Sequence, residues 1–192
     1  RNGEVLDDYS IPLGLCKAQT ELQGDKSILI VNGQQMNLKA VDYVEDSNNG
    51  GATINMAEYE RDVIALKTLG ANAIRVRYGA PHPYLMHLCD KYGLFILVDL
   101  PARGIPTAIL GKDNYIVTAQ TMIKDYIAVY ENHASALAFG IAEEIVEGKP
   151  EVTIYAQKIR EVTRNASAKL LYKTVHGKTQ ALDGDGFDFI VF

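Results

Sequence analysis

The fold prediction starts from residues 132–145, NHASALAFGIAEEI. The run 137–142 within this stretch is almost wholly apolar, which is typical of a strand covered on both faces. Glu143 and Glu144 follow where that strand is expected to end. The carboxyl ends of the strands are where parallel α/β folds build their active sites. The pair of carboxylates therefore indicates either an active site or the beginning of a solvated loop.

Strands and helices alternate on both sides of this stretch. The sequence predicts further core strands over residues 73–77, 94–100, 170–175 and 188–192, and helices over residues 56–69, 83–93, 115–131 and 152–166. The inner strands lack polar alternation, so a parallel sheet with right-handed crossovers is predicted. This pattern fits a (β/α) barrel or a doubly wound sheet. No glycine-rich phosphate loop opens a helix, which argues against a dinucleotide-binding fold.

The N-terminal part has a different pattern. Residues 1–26 show no clear helical or strand period and are predicted to be a linker rather than a domain. Residues 27–31 and 37–43 are predicted to form a hairpin closed by an Asn-Gly turn. A count from Leu38 gives six core strands, whereas a closed barrel of this kind has eight. We therefore expect either an open α/β sheet that is complete in itself or a piece of a longer protein.

Composition and spacing limit the possible partners and cofactors. The net charge of −5 favours neither nucleic acid nor an anionic membrane as a partner, and no apolar run is long enough to span a bilayer. Cys16 and Cys89 lack metal-ligand spacing, and no set of His, Cys and Asp residues has the spacing of a zinc site. The DGDG loop at 183–186 lacks the other ligand positions of an EF-hand. We therefore predict no metal and no cofactor.

Several short motifs resemble one known family and occur in that family's order. They are the Asn-Gly turn at 32–33 followed by LKAVD at 38–42, RD at 61–62, NAIR at 72–75, LCDKYGL at 88–94, and NHAS at 132–135 followed by Glu144. Together they resemble the catalytic TIM-barrel domain of glycoside hydrolase family 2, the group of β-galactosidases, β-glucuronidases and β-mannosidases. The LCDKYGL piece and the spacing from NHAS to Glu144 are fairly specific.

The resemblance implies an α/β fold of the (β/α)8 TIM-barrel type, of which this chain carries about six strands. It implies that residues 1–26 are the exit segment of a preceding β-sandwich domain and that residues 27–192 are a partial barrel domain. A carbohydrate substrate and other domains of the same parent protein are the implied partners. The implied activity is the retaining hydrolysis of terminal β-glycosidic bonds.

The resemblance also implies roles for individual residues. It places the catalytic acid/base at Glu144, at the end of the fourth barrel strand, and the nucleophile on the seventh strand, beyond Phe192. Glu143 stands where the family has an asparagine. Because neighbouring residues of a strand point to opposite faces, Glu143 and Glu144 are not expected to form the catalytic pair.

The predicted substrate-binding residues share a position at or just after the carboxyl end of a barrel strand. They are Asp42, Arg75, Tyr78, Asp99, Glu143 and His176. A guanidinium in the barrel mouth can hold a carboxylate by a bidentate contact, and the alternative for Arg75 is an ordinary buried ion pair. His176 could contact the substrate, and the alternative is a solvated loop histidine.

Departures from the family motifs leave a second interpretation open. The chain has no tryptophan, and Phe139 stands at the place of the motif's tryptophan. The family stretch RTSHYP reads RVRYGA at 75–80, which keeps only the first arginine. The residues that contact the sugar have thus changed most. The alternative is a non-catalytic, degenerate glycosidase-like barrel that serves as a carbohydrate-binding or structural scaffold.

Overall fold

The computed structural model describes residues 7–10, 13–24, 26–48, 50–77, 79–144, 148–174 and 186–191. Its strands belong to two sheets. The first is antiparallel and consists of β1 (Ala18–Gln23), β2 (Lys26–Val31) and β3 (Gln34–Met36). The second is parallel and consists, in chain order, of β4 (Ala40–Tyr43), β5 (Ala73–Val76), β6 (Phe95–Asp99), β7 (Ala136–Gly140), β8 (Leu170–Thr174) and β9 (Phe189–Val191).

Helices connect the parallel strands. They are α1 (Met56–Thr68), α2 (Pro83–Tyr92), α3 (Thr107–Leu110), α4 (Asp113–Tyr130) and α5 (Pro150–Ala166). The predicted alternation of strands and helices is confirmed, and α3 is a short additional helix between β6 and α4 that was not predicted. The start of α1 is closed by a capping box, in which Asn55 and Glu58 each accept the other's backbone N–H.

Two predictions for the N-terminal part were wrong. β1 lies where no strand was predicted, because its mostly polar residues pair with β2 without an apolar period. The hairpin does turn at Asn32 and Gly33, which both have positive φ, but its second strand is β3. β4 joins the parallel sheet instead, since the Asn72 side chain bonds Lys39 N at 2.7 Å and Asn37 O at 2.8 Å beside β5. The division into residues 1–26 and 27–192 stays a prediction.

The inner face of the parallel sheet has an apolar layer below and a polar layer above. The upper layer is at the carboxyl ends, where the strand register places Asp99, Gly140, Tyr172 and Phe189 side by side on four neighbouring strands. The buried members of the lower layer are Leu97, Leu137, Ala138 and Leu170, and they pack against the hairpin of β2 and β3, whose Val31 is buried in the same cluster. The inner face is therefore packed with apolar side chains below, and it carries polar side chains at the carboxyl ends of the strands.

Candidate active site

Charged side chains meet at the carboxyl end of the parallel sheet. Arg75 of β5 lies at their centre and is only 3% exposed. Its Nε donates to Asp99 Oδ2 at 2.7 Å, and its Nη2 lies 2.7 Å from the same oxygen. Nη2 also lies 3.1 Å from Glu143 Oε2, and Nη1 lies 3.9 Å from Asp42 Oδ1. Four of the predicted site residues are thus brought together, with Arg75 engaged in buried ion pairs.

Arg77 is a further member of this group that the sequence analysis did not single out. Its Nη1 lies 2.6 Å from Asp42 Oδ2, and its Nη2 donates to Glu143 Oε1. Glu143 therefore lies between two guanidinium groups. The predicted strand over residues 73–77 could have pointed to Arg77, because residues two apart along an extended chain face the same side, and Arg77 is two residues after Arg75. We call Asp42, Arg75, Arg77, Asp99 and Glu143 the mouth cluster.

Tyr172 and Gly140 support the mouth cluster from neighbouring strands. The Tyr172 hydroxyl donates to Asp99 Oδ1, and its ring stacks on Phe189 with 5.2 Å between the centroids. A Cβ added to Gly140 would overlap the Asp99 carboxylate and would lie 2.6 Å from Tyr172 Cζ. The sequence analysis missed both residues, although a glycine inside an apolar strand often marks a close approach of this kind.

Burial and charge act against each other in the mouth cluster. Burial raises the pKa of Asp99, and the Arg75 guanidinium and the Tyr172 hydroxyl only partly offset this. Burial alone would lower the pKa of Arg75, but the nearby Asp99 charge raises it above its ordinary value, so the guanidinium stays charged. Burial and the Asp99 charge raise the pKa of Tyr172 well above its ordinary value. Tyr172 is therefore a phenol that donates its proton to a hydrogen bond.

Glu144 lies at the rim, beyond the buried part of the mouth cluster. β7 ends at Gly140, so Glu143 and Glu144 lie beyond the strand, and the prediction that strand alternation turns them to opposite faces was wrong. Glu144 has a φ of 54°, in the left-handed region that few non-glycine residues adopt. Its Oε1 lies 2.7 Å from Arg103 Nη2, and its side chain is 33% exposed, compared with 8% for Glu143. The Glu144 carboxylate is therefore partly open to solvent, whereas Glu143 is enclosed.

Two of the predicted substrate-binding residues, Tyr78 and His176, lie outside the described residues. Among the residues that the structure does describe, no group of three or more His, Cys, Asp or Glu side chains could hold a metal ion. Within the same ranges, none of the helices combines the length and the apolar character that crossing a bilayer requires. The candidate site thus consists of the mouth cluster, its supporting residues and the rim pair of Glu144 and Arg103.

Sequence comparison relates the chain to known proteins. The family "Glycosyl hydrolases family 2, TIM barrel domain" matches residues 22–169. The β-galactosidase BoGH2A of Bacteroides ovatus is 30% identical over 150 residues, which cover 77% of this chain and 17% of that protein. A β-glucuronidase of Sus scrofa is 27% identical over 146 residues, which cover 74% of this chain and 21% of that protein. The chain thus spans about a fifth of the length of these relatives.

Solved structures share the fold. A β-glucuronidase from Ruminococcus gnavus in complex with C6-substituted uronic isofagomine matches with a TM-score of 0.79 at 19% identity, over 91% of this chain and 30% of that one. A β-galacturonidase from Eisenbergiella tayi bound to galacturonate matches with a TM-score of 0.74 at 20% identity, over 82% and 28%. These matches confirm the predicted TIM-barrel fold. The family match over residues 22–169 shows that the chain belongs to glycosyl hydrolase family 2 and forms part of that family's TIM-barrel domain.

Proposed function

We propose that this chain carries the proton donor of a retaining β-glycosidase and that Glu144 is that donor. The supporting observation is the position of Glu144, a partly exposed carboxylate just after β7 and beside the mouth cluster. A retaining glycosidase needs two carboxyl groups about 5 Å apart, one as acid/base and one as nucleophile. Because the chain spans about a fifth of the length of its relatives, we assign the nucleophile to another part of the parent protein.

Glu144 would act twice in each turnover. As the bond between the anomeric carbon and the glycosidic oxygen breaks, the Glu144 carboxyl group gives its proton to that oxygen, and the nucleophile bonds to the anomeric carbon. The Glu144 carboxylate then takes a proton from a water molecule, whose oxygen attacks the anomeric carbon and displaces the nucleophile. Glu144 thereby ends the cycle protonated, as it began.

The mouth cluster would form the floor of the sugar site. Asp42 is its most exposed member, with 46% of the side chain exposed, so it is available to accept hydrogen bonds from sugar hydroxyls. Arg75, Asp99 and Glu143 are buried and bonded to one another, so we assign them to holding the floor. The proposed substrate is a terminal β-glycoside. β-Galactosides and β-glucuronides are the first candidates, because the relatives are named for them.

The test is Glu144→Gln in the parent protein, assayed with aryl β-galactosides and β-glucuronides whose leaving groups differ in acidity. Loss of the general acid should lower kcat/KM by about 10²- to 10⁴-fold for poor leaving groups. Dinitrophenyl substrates should lose much less in the bond-breaking step, because dinitrophenolate departs without a proton. Azide should then speed their turnover and yield a β-glycosyl azide, because azide attacks without a general base. Unchanged rates with every leaving group would refute the role of Glu144.

A second candidate function is a non-catalytic barrel that binds carbohydrate or serves as a scaffold. The observation that favours it is Glu143, which stands in the place of the family's asparagine and is held by Arg75 and Arg77. An amide that could bond a sugar has thus become a carboxylate engaged within the protein. This candidate predicts no turnover of any aryl glycoside by the unmodified parent protein. A measurable rate that disappears in Glu144→Gln excludes it.

A further inference from the structure

We propose that Arg103 is a positioning residue for Glu144 and holds its carboxylate at the barrel rim for both proton transfers. The inference rests on the proposed function, because it assigns Arg103 a role that acts through the proton donor. Arg103 lies in the loop between β6 and α3, whereas Glu144 follows β7. The two residues come together through backbone and side-chain contacts, each of which supports the assignment.

The backbone joins the loop of Arg103 to the segment that precedes Glu144. Arg103 and Glu143 form a parallel β-bridge outside the named strands. The N–H of Glu143 donates to Ala102 O at 3.0 Å, and the N–H of Gly104 donates to Glu143 O at 2.9 Å. The parallel pairing of β6 and β7 is thus extended beyond their ends, and it fixes the backbone immediately before Glu144.

The side chain of Arg103 then contacts Glu144 directly. The 2.7 Å between Arg103 Nη2 and Glu144 Oε1 is the distance of a charge-assisted hydrogen bond. The Arg103 Nε lies 4.0 Å from Glu143 Oε1, so the guanidinium also lies against the mouth cluster. The Arg103 and Glu144 side chains are 42% and 33% exposed, so the pair is open to solvent, as the proposed proton transfer to a glycosidic oxygen requires.

The backbone conformation of Glu144 explains why its carboxylate needs the contact with Arg103. A left-handed φ of 54° at a non-glycine residue costs energy and persists only where the surroundings hold it. It also turns the side chain away from the direction that an extended residue would give it. Proton transfer is sensitive to displacements of about 1 Å, so a carboxylate on such a residue needs a fixed partner. Arg103 supplies that partner from a neighbouring strand–helix loop.

The experiment compares Arg103→Gln, Arg103→Lys, Glu144→Gln and the double variant Arg103→Gln/Glu144→Gln in the parent protein. We expect Arg103→Gln to lower kcat by about 10²-fold for poor leaving groups, with little change in KM. The loss should shrink with dinitrophenyl glycosides, and Arg103→Lys should recover part of the rate. Arg61→Gln is the matched control, because Arg61 is 69% exposed on α1 and pairs with Asp62 at 3.4 Å. Its activity should not change.

The double variant separates positioning from a general structural role. In a Glu144→Gln background, Arg103→Gln should cause no further loss, because the group that it positions is already absent. Equal losses with all leaving groups, or losses that multiply in the double variant, would overturn the inference. Loss in Glu144→Gln together with normal rates in Arg103→Gln would refute only the role of Arg103. Normal rates in Glu144→Gln would refute the proposed function and the inference with it.

Discussion

Arg75→Met is the change that the mouth cluster should tolerate least. Methionine keeps an apolar stem but removes the guanidinium, which makes two 2.7 Å contacts with Asp99 and one of 3.1 Å with Glu143. In this variant Glu143 keeps Arg77 as a partner. Asp99, which is 5% exposed, loses the guanidinium and keeps the hydrogen bond from the Tyr172 hydroxyl. Removing one partner of a buried ion pair costs about 3–5 kcal/mol of folding stability.

Native-state hydrogen exchange of the parent protein, measured by mass spectrometry, gives a local readout of this loss. At about 1.4 kcal/mol per factor of ten, protection in peptides from β5, β6 and β7 should fall by roughly two to three and a half orders of magnitude. Arg61→Met removes an exposed ion pair and should cost at most about 1 kcal/mol, so protection should stay within about fivefold. An equally small effect of Arg75→Met would refute the view that the cluster depends on this arginine.

The pH dependence of the stability that Arg75→Met loses identifies the cause of that loss. Burial already raises the pKa of Asp99, and removal of the guanidinium should raise that pKa further. A carboxyl group whose folded-state pKa lies above its unfolded-state pKa binds more protons in the folded state. Its destabilising effect therefore grows as pH rises and shrinks as pH falls. The deficit should be smaller at about pH 5 than at about pH 8, and a constant deficit would indicate lost packing instead.

Two further changes test the support around the site. Gly140→Ala should lower the free energy of unfolding by about 1–3 kcal/mol, because the new methyl group would overlap side chains on both neighbouring strands. Gly79→Ala, where a Cβ meets nothing within 4 Å, is the control, and equal thermal midpoints would contradict the packing argument. The second change concerns Asp90, which accepts the Ser135 N–H at 2.8 Å and lies 2.6 Å from His133 Nδ1. Burial raises the pKa of Asp90, but these contacts outweigh burial and lower the pKa below the ordinary 3.8. The stabilising effect of Asp90 should therefore be complete above about pH 5 and lost as pH falls below about 4. The thermal midpoints of Asp90→Asn and the unmodified protein should then converge in acid. A gap between the two midpoints that stays constant with pH would contradict this.

The fold could be predicted because its main signals are local. The apolar runs at 94–100 and 137–142 contain most of β6 and β7. A short, nearly continuous apolar run is typical of a parallel strand that is buried on both faces. Gly93 ended α2 as predicted, and its φ of 66° is one that glycine adopts at no steric cost. β1 and β3 were missed because each is a mostly polar segment that is held by backbone pairing with β2, so neither has an apolar period to recognise.

The candidate site could be predicted only in part. Asp42, Arg75 and Asp99 were found because each lies at or near the end of a parallel strand, and strand ends can be located from sequence. Arg103 could not be found in this way, because its contact with Glu144 depends on the path of the loop between β6 and α3. Loop paths are set by tertiary contacts such as the bridge that follows β6 and β7, and no sequence period encodes them.

The surroundings of the two adjacent glutamates also explain the change at position 143. A carboxylate in place of the family's asparagine would be costly at 6% exposure unless charge compensated it. Arg77 stands where the family motif has a serine, and its guanidinium contacts both Glu143 and Asp42. The added acid and the added base therefore balance, and the mouth cluster gains an ion pair without gaining net charge. Glu143 is thus compensated by Arg75 and Arg77 within the mouth cluster, whereas the adjacent Glu144 pairs with Arg103 at 2.7 Å.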